Sequence, residues 1–142
     1  MTIAAILGGK GREVISVSPG QTVLEVVALL GERRIGAVPV IEDGKVVGIF
    51  SERDVIYSLK GGDTAALGRT IGEVMTSPAE TVAPGDAVMA ALSLMTKRRI
   101  RHLPVVDGGK VVGLVSIGDL VKYRIDRIEA DAAAMRDYIQ QA

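Results

Sequence analysis

No cysteine occurs among the 142 residues, which excludes disulfide scaffolds, thiol catalysis and thiolate-ligated zinc or iron–sulfur centres. Histidine is nearly absent as well. His102 stands alone, so no histidine-rich metal site can be built within one chain and none is expected, although a Ser-His-Asp arrangement stays open in principle. Aromatic residues make up 3%, and basic and acidic residues balance at 17 each. The balance holds locally, with seven of each sign up to residue 60 and ten of each beyond. No basic domain or series of stacking rings is available to bind nucleic acid. Long hydrophobic runs are also missing. The start, Met1-Thr2-Ile3-Ala4-Ala5-Ile6-Leu7-Gly8, lacks the features of a secretory signal and nothing approaches membrane-spanning length, so no membrane role is expected and the cytoplasm is the expected location. What is present is 48% hydrophobic and 24% charged residues, the composition of a chain that folds into one compact core or two coupled halves.

The chain repeats itself. Residues 14–54 overlie residues 79–119 at a constant offset of 65, with 17 of 41 positions identical. Pro19-Gly20 matches Pro84-Gly85, Arg33-Arg34-Ile35 matches Arg98-Arg99-Ile100, Pro39-Val40 matches Pro104-Val105, and Gly44 to Gly48 matches Gly109 to Gly113. Ser51 and Asp54 match Ser116 and Asp119. Such self-similarity is the mark of an internal duplication.

Each copy reads as strand, helix, hairpin and helix. Val14-Ile15-Ser16-Val17 is β-branched and runs into a Ser18-Pro19-Gly20 turn, after which Val23, Val26, Val27 and Leu30 recur at helical spacing. Val38-Pro39-Val40-Ile41, a tight Asp43-Gly44 turn and Val46 to Phe50 form a hairpin. A helix should then run from Ser51 toward Leu59. The expected class is therefore α/β (α+β), two β-α-β-β-α repeats packed by pseudo-twofold symmetry. The expected units are 1–60, a linker at 61–78 with a short helical turn at Ile71–Met75, a second unit at 79–124 and a long C-terminal helix over 125–142. A single copy is close to the size at which a core is marginal, so the copies should pack together and leave clefts at their junction, a favoured place for small ligands. Gly8-Gly9-Lys10-Gly11 and Gly61-Gly62 match no phosphate-binding fingerprint and read as turns. From Val121 the apolar residues Ile125, Ile128, Ala132, Met135 and Ile139 keep one helical face, which either packs on its own domain or forms a homodimer seam.

Two constellations carry chemistry. Ser51-Glu52-Arg53-Asp54 and Ser116-Ile117-Gly118-Asp119 place a serine and an aspartate three residues apart at a helix start. This is a variant of the capping box. The same carboxylate could instead accept two hydrogen bonds from the vicinal hydroxyls of a ribose, with helix-terminal amides facing a phosphate. The second constellation, Lys97 to Pro104, ends a helix in cations that offset its dipole. Arg101 and His102 have no counterparts, since the first copy has Gly36 and Ala37 there. One cleft should thus handle an anion that the other does not.

With these residues in place the chain resembles tandem cystathionine β-synthase-type (CBS) domains, the pair known as a Bateman module, in its small stand-alone form. The resemblance runs from about Val14 to Val121 and rests on Gly-h-h-Ser-x-x-Asp in both copies, on Ile35 to Val40 and Ile100 to Val105, on the hairpin turns and on Val74-Met75-Thr76. It implies a module that binds adenosine-containing ligands, AMP, ADP, ATP, NAD or S-adenosylmethionine, between its repeats, with no required cofactor. It also implies that Asp54 and Asp119 take ribose, with Ser51 and Ser116 near ribose or phosphate. Groups around Ile15, Val17, Val38, Pro39, Leu103 and Pro104 would enclose adenine, and Arg101 and His102 would meet phosphate. Two unequal sites and a homodimer are expected. The function implied is regulatory and non-enzymatic. A structural dimerisation module with vestigial clefts is the alternative; hydrolysis by His102 with Asp119 has no nucleophile to support it.

Overall fold

A computed structural model of the chain describes residues 1–10 and 13–141. Gly11, Arg12 and Ala142, which the expected turn and the expected outer units include, lie outside the described residues. Helix α1 spans Ile3–Lys10, α2 Val23–Arg33, strands β1 and β2 Ala37–Glu42 and Lys45–Ser51, and α3 Glu52–Leu59. A 3-10 turn at Thr64–Gly68 and the single turn of α4, Ile71–Val74, lead to the second copy. That copy comprises α5 (Val88–Arg98), β3 (His102–Asp107), β4 (Lys110–Ser116) and α6 (Ile117–Gln141).

The duplication in sequence is a duplication in register. β1 and β2 pair antiparallel with Pro39 opposite Ile49 and Val40 opposite Gly48, and β3 and β4 repeat this with Pro104 opposite Leu114 and Val105 opposite Gly113. Both ladders slip at the same place, between Val40 and Ile41 and between Val105 and Val106. Two-residue turns of type I′, one of the two types that match strand twist, need positive φ at both central positions. Asp43 (52°) with Gly44 (77°), and Gly108 (58°) with Gly109 (82°), meet that need.

The expected leading strands shrink to one residue each. Val17 bridges Val40 and Val82 bridges Val105 in parallel; the Val17 amide donates to the Pro39 carbonyl at 3.1 Å and the Val17 carbonyl accepts from the Ile41 amide at 2.8 Å. Pro39 and Pro104 offer this edge a carbonyl and no amide. The turn at Pro19-Gly20, and its counterpart at Pro84-Gly85, then carries the chain away at once.

Two cores result, and each is closed by the segment that precedes the other copy. Val17, Val23, Val26, Leu30, Val38, Val40 and Phe50 bury together with Ile71 from the linker. Val82, Val88, Ala91, Met95, Leu103, Val105, Val115 and Leu120 bury with Ile3, Ile6 and Leu7 from the amino terminus. The contacts are equivalent down to the backbone. Ile71 and Gly72 amides donate to the carbonyls of Gln21 (2.7 Å) and Pro19 (2.9 Å), while Ile3 and Ala4 amides donate to those of Asp86 and Pro84, both at 2.9 Å. Helix α1 was not expected, and it takes Gly8 and Gly9 out of the turn assigned to them: burial of Ile3, Ile6 and Leu7 outweighs the weak helix propensity of two terminal glycines. The unit drawn over 1–60 thus contains a helix whose apolar residues belong to the other core.

Helix α6 joins the last helix of the second copy to the expected extension without a break. Leu120 in its first turn is buried, while Val121, Ile125, Ile128, Met135 and Ile139 are exposed. The stripe therefore does not pack on its own domain. No helix among the described residues is long and apolar enough to cross a membrane.

Candidate functional site

The start of α3 is positioned by the hairpin. Ser51 ends β2 opposite Ala37, and the first amide of the helix, that of Glu52, donates to the Gly36 carbonyl at 3.0 Å. This fixes Asp54 in the first turn, where it is the one buried charged residue among the described residues. Its Oδ2 accepts from the Ser51 amide (2.9 Å) and the Ser51 hydroxyl (3.2 Å), and its Oδ1 accepts from the Thr76 hydroxyl (3.0 Å). An ionised carboxylate offers about four acceptor directions. Three are taken, so one remains, and the oxygens of Ser51 and Thr76 lie beside it.

Asp54 forms part of the wall of a cavity of about 590 Å³, within the range of small-molecule sites. Its first wall is α3 and the end of β2, with Ile49, Ser51, Glu52, Arg53, Ile56 and Tyr57. The linker supplies Thr76 and Pro78, and the second copy supplies Glu80, Arg98, Ile100, Arg101 and His102. The cavity is thus a junction between the copies. A hydrogen bond joins its two sides: Arg53 Nη1 donates to the Arg99 carbonyl at 2.8 Å. Within the second copy, Arg98 pairs with Glu80 at 3.4 Å across exposed side chains. Gly36 fits between Glu52 and His102: a Cβ there would press on Glu52 Oε1 and lie 3.2 Å from His102 Cε1. A side chain at the position equivalent to Arg101 in the first copy would displace the Glu52 carboxylate from where it now lies against Gly36.

Of the expected site residues, the structure brings Ser51, Asp54, Arg101 and His102 into this one cavity. The others are placed elsewhere. Ser116 and Asp119 form a capping box at α6, the Ser116 amide donating to Asp119 Oδ2 (2.8 Å) and the Asp119 amide to Ser116 Oγ (3.1 Å), and neither lines the cavity. The second copy also lacks a match for Thr76: by the equivalence of Ile71 with Ile3, that position is Gly8, which carries no hydroxyl. Val17, Val38, Pro39, Leu103 and Pro104 are buried, Ile15 is half-buried, and none of the six borders the cavity. Residues given no role from sequence, Thr76, Glu80, Arg53 and Tyr57, do line it. For Thr76 a signal existed, since it closes the Val74-Met75-Thr76 segment. Among the described residues no group of three or more metal-ligating side chains converges.

Two pseudo-symmetric α/β halves with a carboxylate-lined cleft at their junction define a tandem-repeat fold. Known sequences and structures agree with that description. The CBS domain profile matches residues 11–61 and 71–126, and the chain belongs to the CBS domain family as a tandem pair. It is 34% identical over 125 residues to the CBS domain-containing protein YhcV of Bacillus subtilis, covering 85% of this chain and 86% of that one. The crystal structure of the CBS-domain containing protein ATU1752 from Agrobacterium tumefaciens superposes with a TM-score of 0.84 at 35% identity, over 87% of this chain and 99% of that one. The CBS domain pair of protein MJ0100, solved with a methylthioadenosine and S-adenosyl-L-methionine, superposes with a TM-score of 0.77 at 26% identity, over 87% and 98% of the two chains.

Proposed function

We propose that this chain is a non-catalytic regulatory module that binds an adenine nucleotide, AMP, ATP or NAD being the candidates, in the cleft at Asp54, and that it acts as a cytoplasmic homodimer. One observation carries the reading: a buried carboxylate flanked by two hydroxyls, Ser51 and Thr76, in the same cavity as Arg101 and His102. Acceptors suit a sugar diol, and a guanidinium with an imidazole suits a phosphate. The adenosine ligands held by the MJ0100 pair support the same class. Because Arg101 and His102 lie in this cavity and the first copy has Gly36 and Ala37 in their place, the Asp54 cleft is the stronger of two unequal sites. Regulation follows from differential affinity, since a ligand shifts an assembly only by binding one arrangement more tightly than another.

Titration calorimetry with AMP, ATP, NAD and S-adenosylmethionine tests the reading. Saturable heat with at least one, lost in Asp54→Asn protein that still melts cooperatively, supports it; no heat from any ligand at millimolar concentration contradicts it. A second reading, a dimerisation module with vestigial clefts, draws on the exposed stripe of α6 and on the capping work that Asp54 and Asp119 already perform. It requires a stable dimer whose melting temperature no nucleotide changes.

A further inference from the structure

Helix α6 leaves the body of the protein after its second turn. Leu120 is buried and Tyr123 packs against the second core, but from Ile125 to Gln141 every residue except Ala133 is exposed. Most helical stability in proteins comes from packing an amphipathic face, and this projection packs no such face on its own chain. The stripe on it has the spacing of a coiled-coil seam, with Ile125, Ala132 and Ile139 at the a positions and Val121, Ile128 and Met135 at the d positions. Exposure along it rises from 42% at Val121 to 64% at Ile139.

The flanking charges choose the occupant. In a parallel in-register pair each g residue faces the e residue five positions on in the partner. Arg124 then faces Glu129, and Asp131 faces Arg136, each twice by symmetry. Asp131 is already attracted by Arg127 at 3.8 Å on its own helix, and both side chains are exposed enough to share. An antiparallel pair that covers the whole stripe sets Glu129 against Glu129, Asp131 against Asp131 and Lys122 against Arg136. Sliding it by one heptad either way relieves the repulsion but leaves two layers of the seam in water.

We propose that α6 pairs with α6 of a second copy as a parallel, in-register two-stranded coiled coil, holding the two nucleotide modules side by side in the same orientation. This deepens the homodimer reading and rests on it. The absence of cysteine gives a clean test. Ile125→Cys and Ile139→Cys proteins, each a single exposed substitution, are oxidised mildly and examined by non-reducing electrophoresis, with sedimentation equilibrium on the unmodified protein. Disulfide geometry needs Cα atoms within about 7 Å, so both variants cross-link to themselves only if the helices run parallel and in register. Asp131→Arg should raise the dimer dissociation constant about fivefold, and adding Arg136→Asp should restore it. A dimer in which either cysteine fails to cross-link overturns the parallel seam and leaves the homodimer; a monomer by sedimentation overturns both.

Discussion

The Thr76 hydroxyl donates to Asp54 Oδ1 at 3.0 Å, a bond between residues 22 positions apart that ties the linker to the first turn of α3. It lies in the cavity wall, so under the proposed function the same contact serves stability and ligand binding. Replacing Thr76 by Val removes the donor and nearly preserves shape. A hydrogen bond to a charged group contributes about 1.5–3 kcal/mol, so urea denaturation should show a loss toward the lower end of that range, and AMP binding should weaken with it. Unchanged stability would mean that water replaces the hydroxyl at no cost.

Gly48 and Gly113 are equivalent in sequence and differ in what they face. A Cβ on Gly48 would lie 2.6 Å from Met75 Sδ and 2.8 Å from the Thr76 carbonyl oxygen, whereas one on Gly113 would meet the Leu7 side chain, at 2.5 Å from Cδ2. A backbone carbonyl yields less readily than a methyl. Overpacking costs about 1–3 kcal/mol, and Gly48→Ala should fall at the upper end with Gly113→Ala at the lower. Chemical denaturation of the two variants gives the comparison; equal losses would refute the distinction.

The exchange of closing segments predicts where damage appears. Ile3 is fully buried among residues of the second copy, and Ile→Ala in a core costs about 2–5 kcal/mol. Ile3→Ala should accelerate amide hydrogen exchange in β3 and β4 more than in β1 and β2. Ile71→Ala should do the reverse.

Arg101 and His102 can be converted to their counterparts in the first copy. The double variant Arg101→Gly, His102→Ala should bind AMP about tenfold more weakly, as expected for losing charge-assisted contacts. Adenosine, which has no phosphate, should bind both proteins alike. Equal losses for AMP and adenosine would move these side chains away from the phosphate.

Much of this architecture was legible in the sequence because repeated local signals agreed with one another. The Asp43-Gly44 turn, the paired Pro39-Val40 and Pro104-Val105, and the helical spacing of Val23, Val26 and Leu30 each have one local solution. Helix α1 was not legible, because its equivalence to the linker holds between Ile3 and Ile71, three positions off the register of the main repeat, and because its helicity depends on burial in a distant core. The leading strands were over-read from β-branched residues, whose preference needs a pairing edge that Pro39 and Pro104 only half supply. In the site, Ser51 and Asp54 were visible as a spacing and Arg101 with His102 as an asymmetry between copies. An alignment of copies shows which residues are equivalent, not which are adjacent. That Asp54 shares a cavity with Arg101, His102 and Glu80 required the structure.

Equilibrium affinity for AMP in Asp54→Ala and Asp119→Ala proteins, each checked for a cooperative melt, compares the two carboxylates directly. Loss of a charged hydrogen-bond acceptor should weaken AMP binding about tenfold or more in Asp54→Ala, while Asp119→Ala stays close to the unmodified protein. Tight binding that survives in Asp54→Ala and disappears in Asp119→Ala would contradict the assignment of the working cleft.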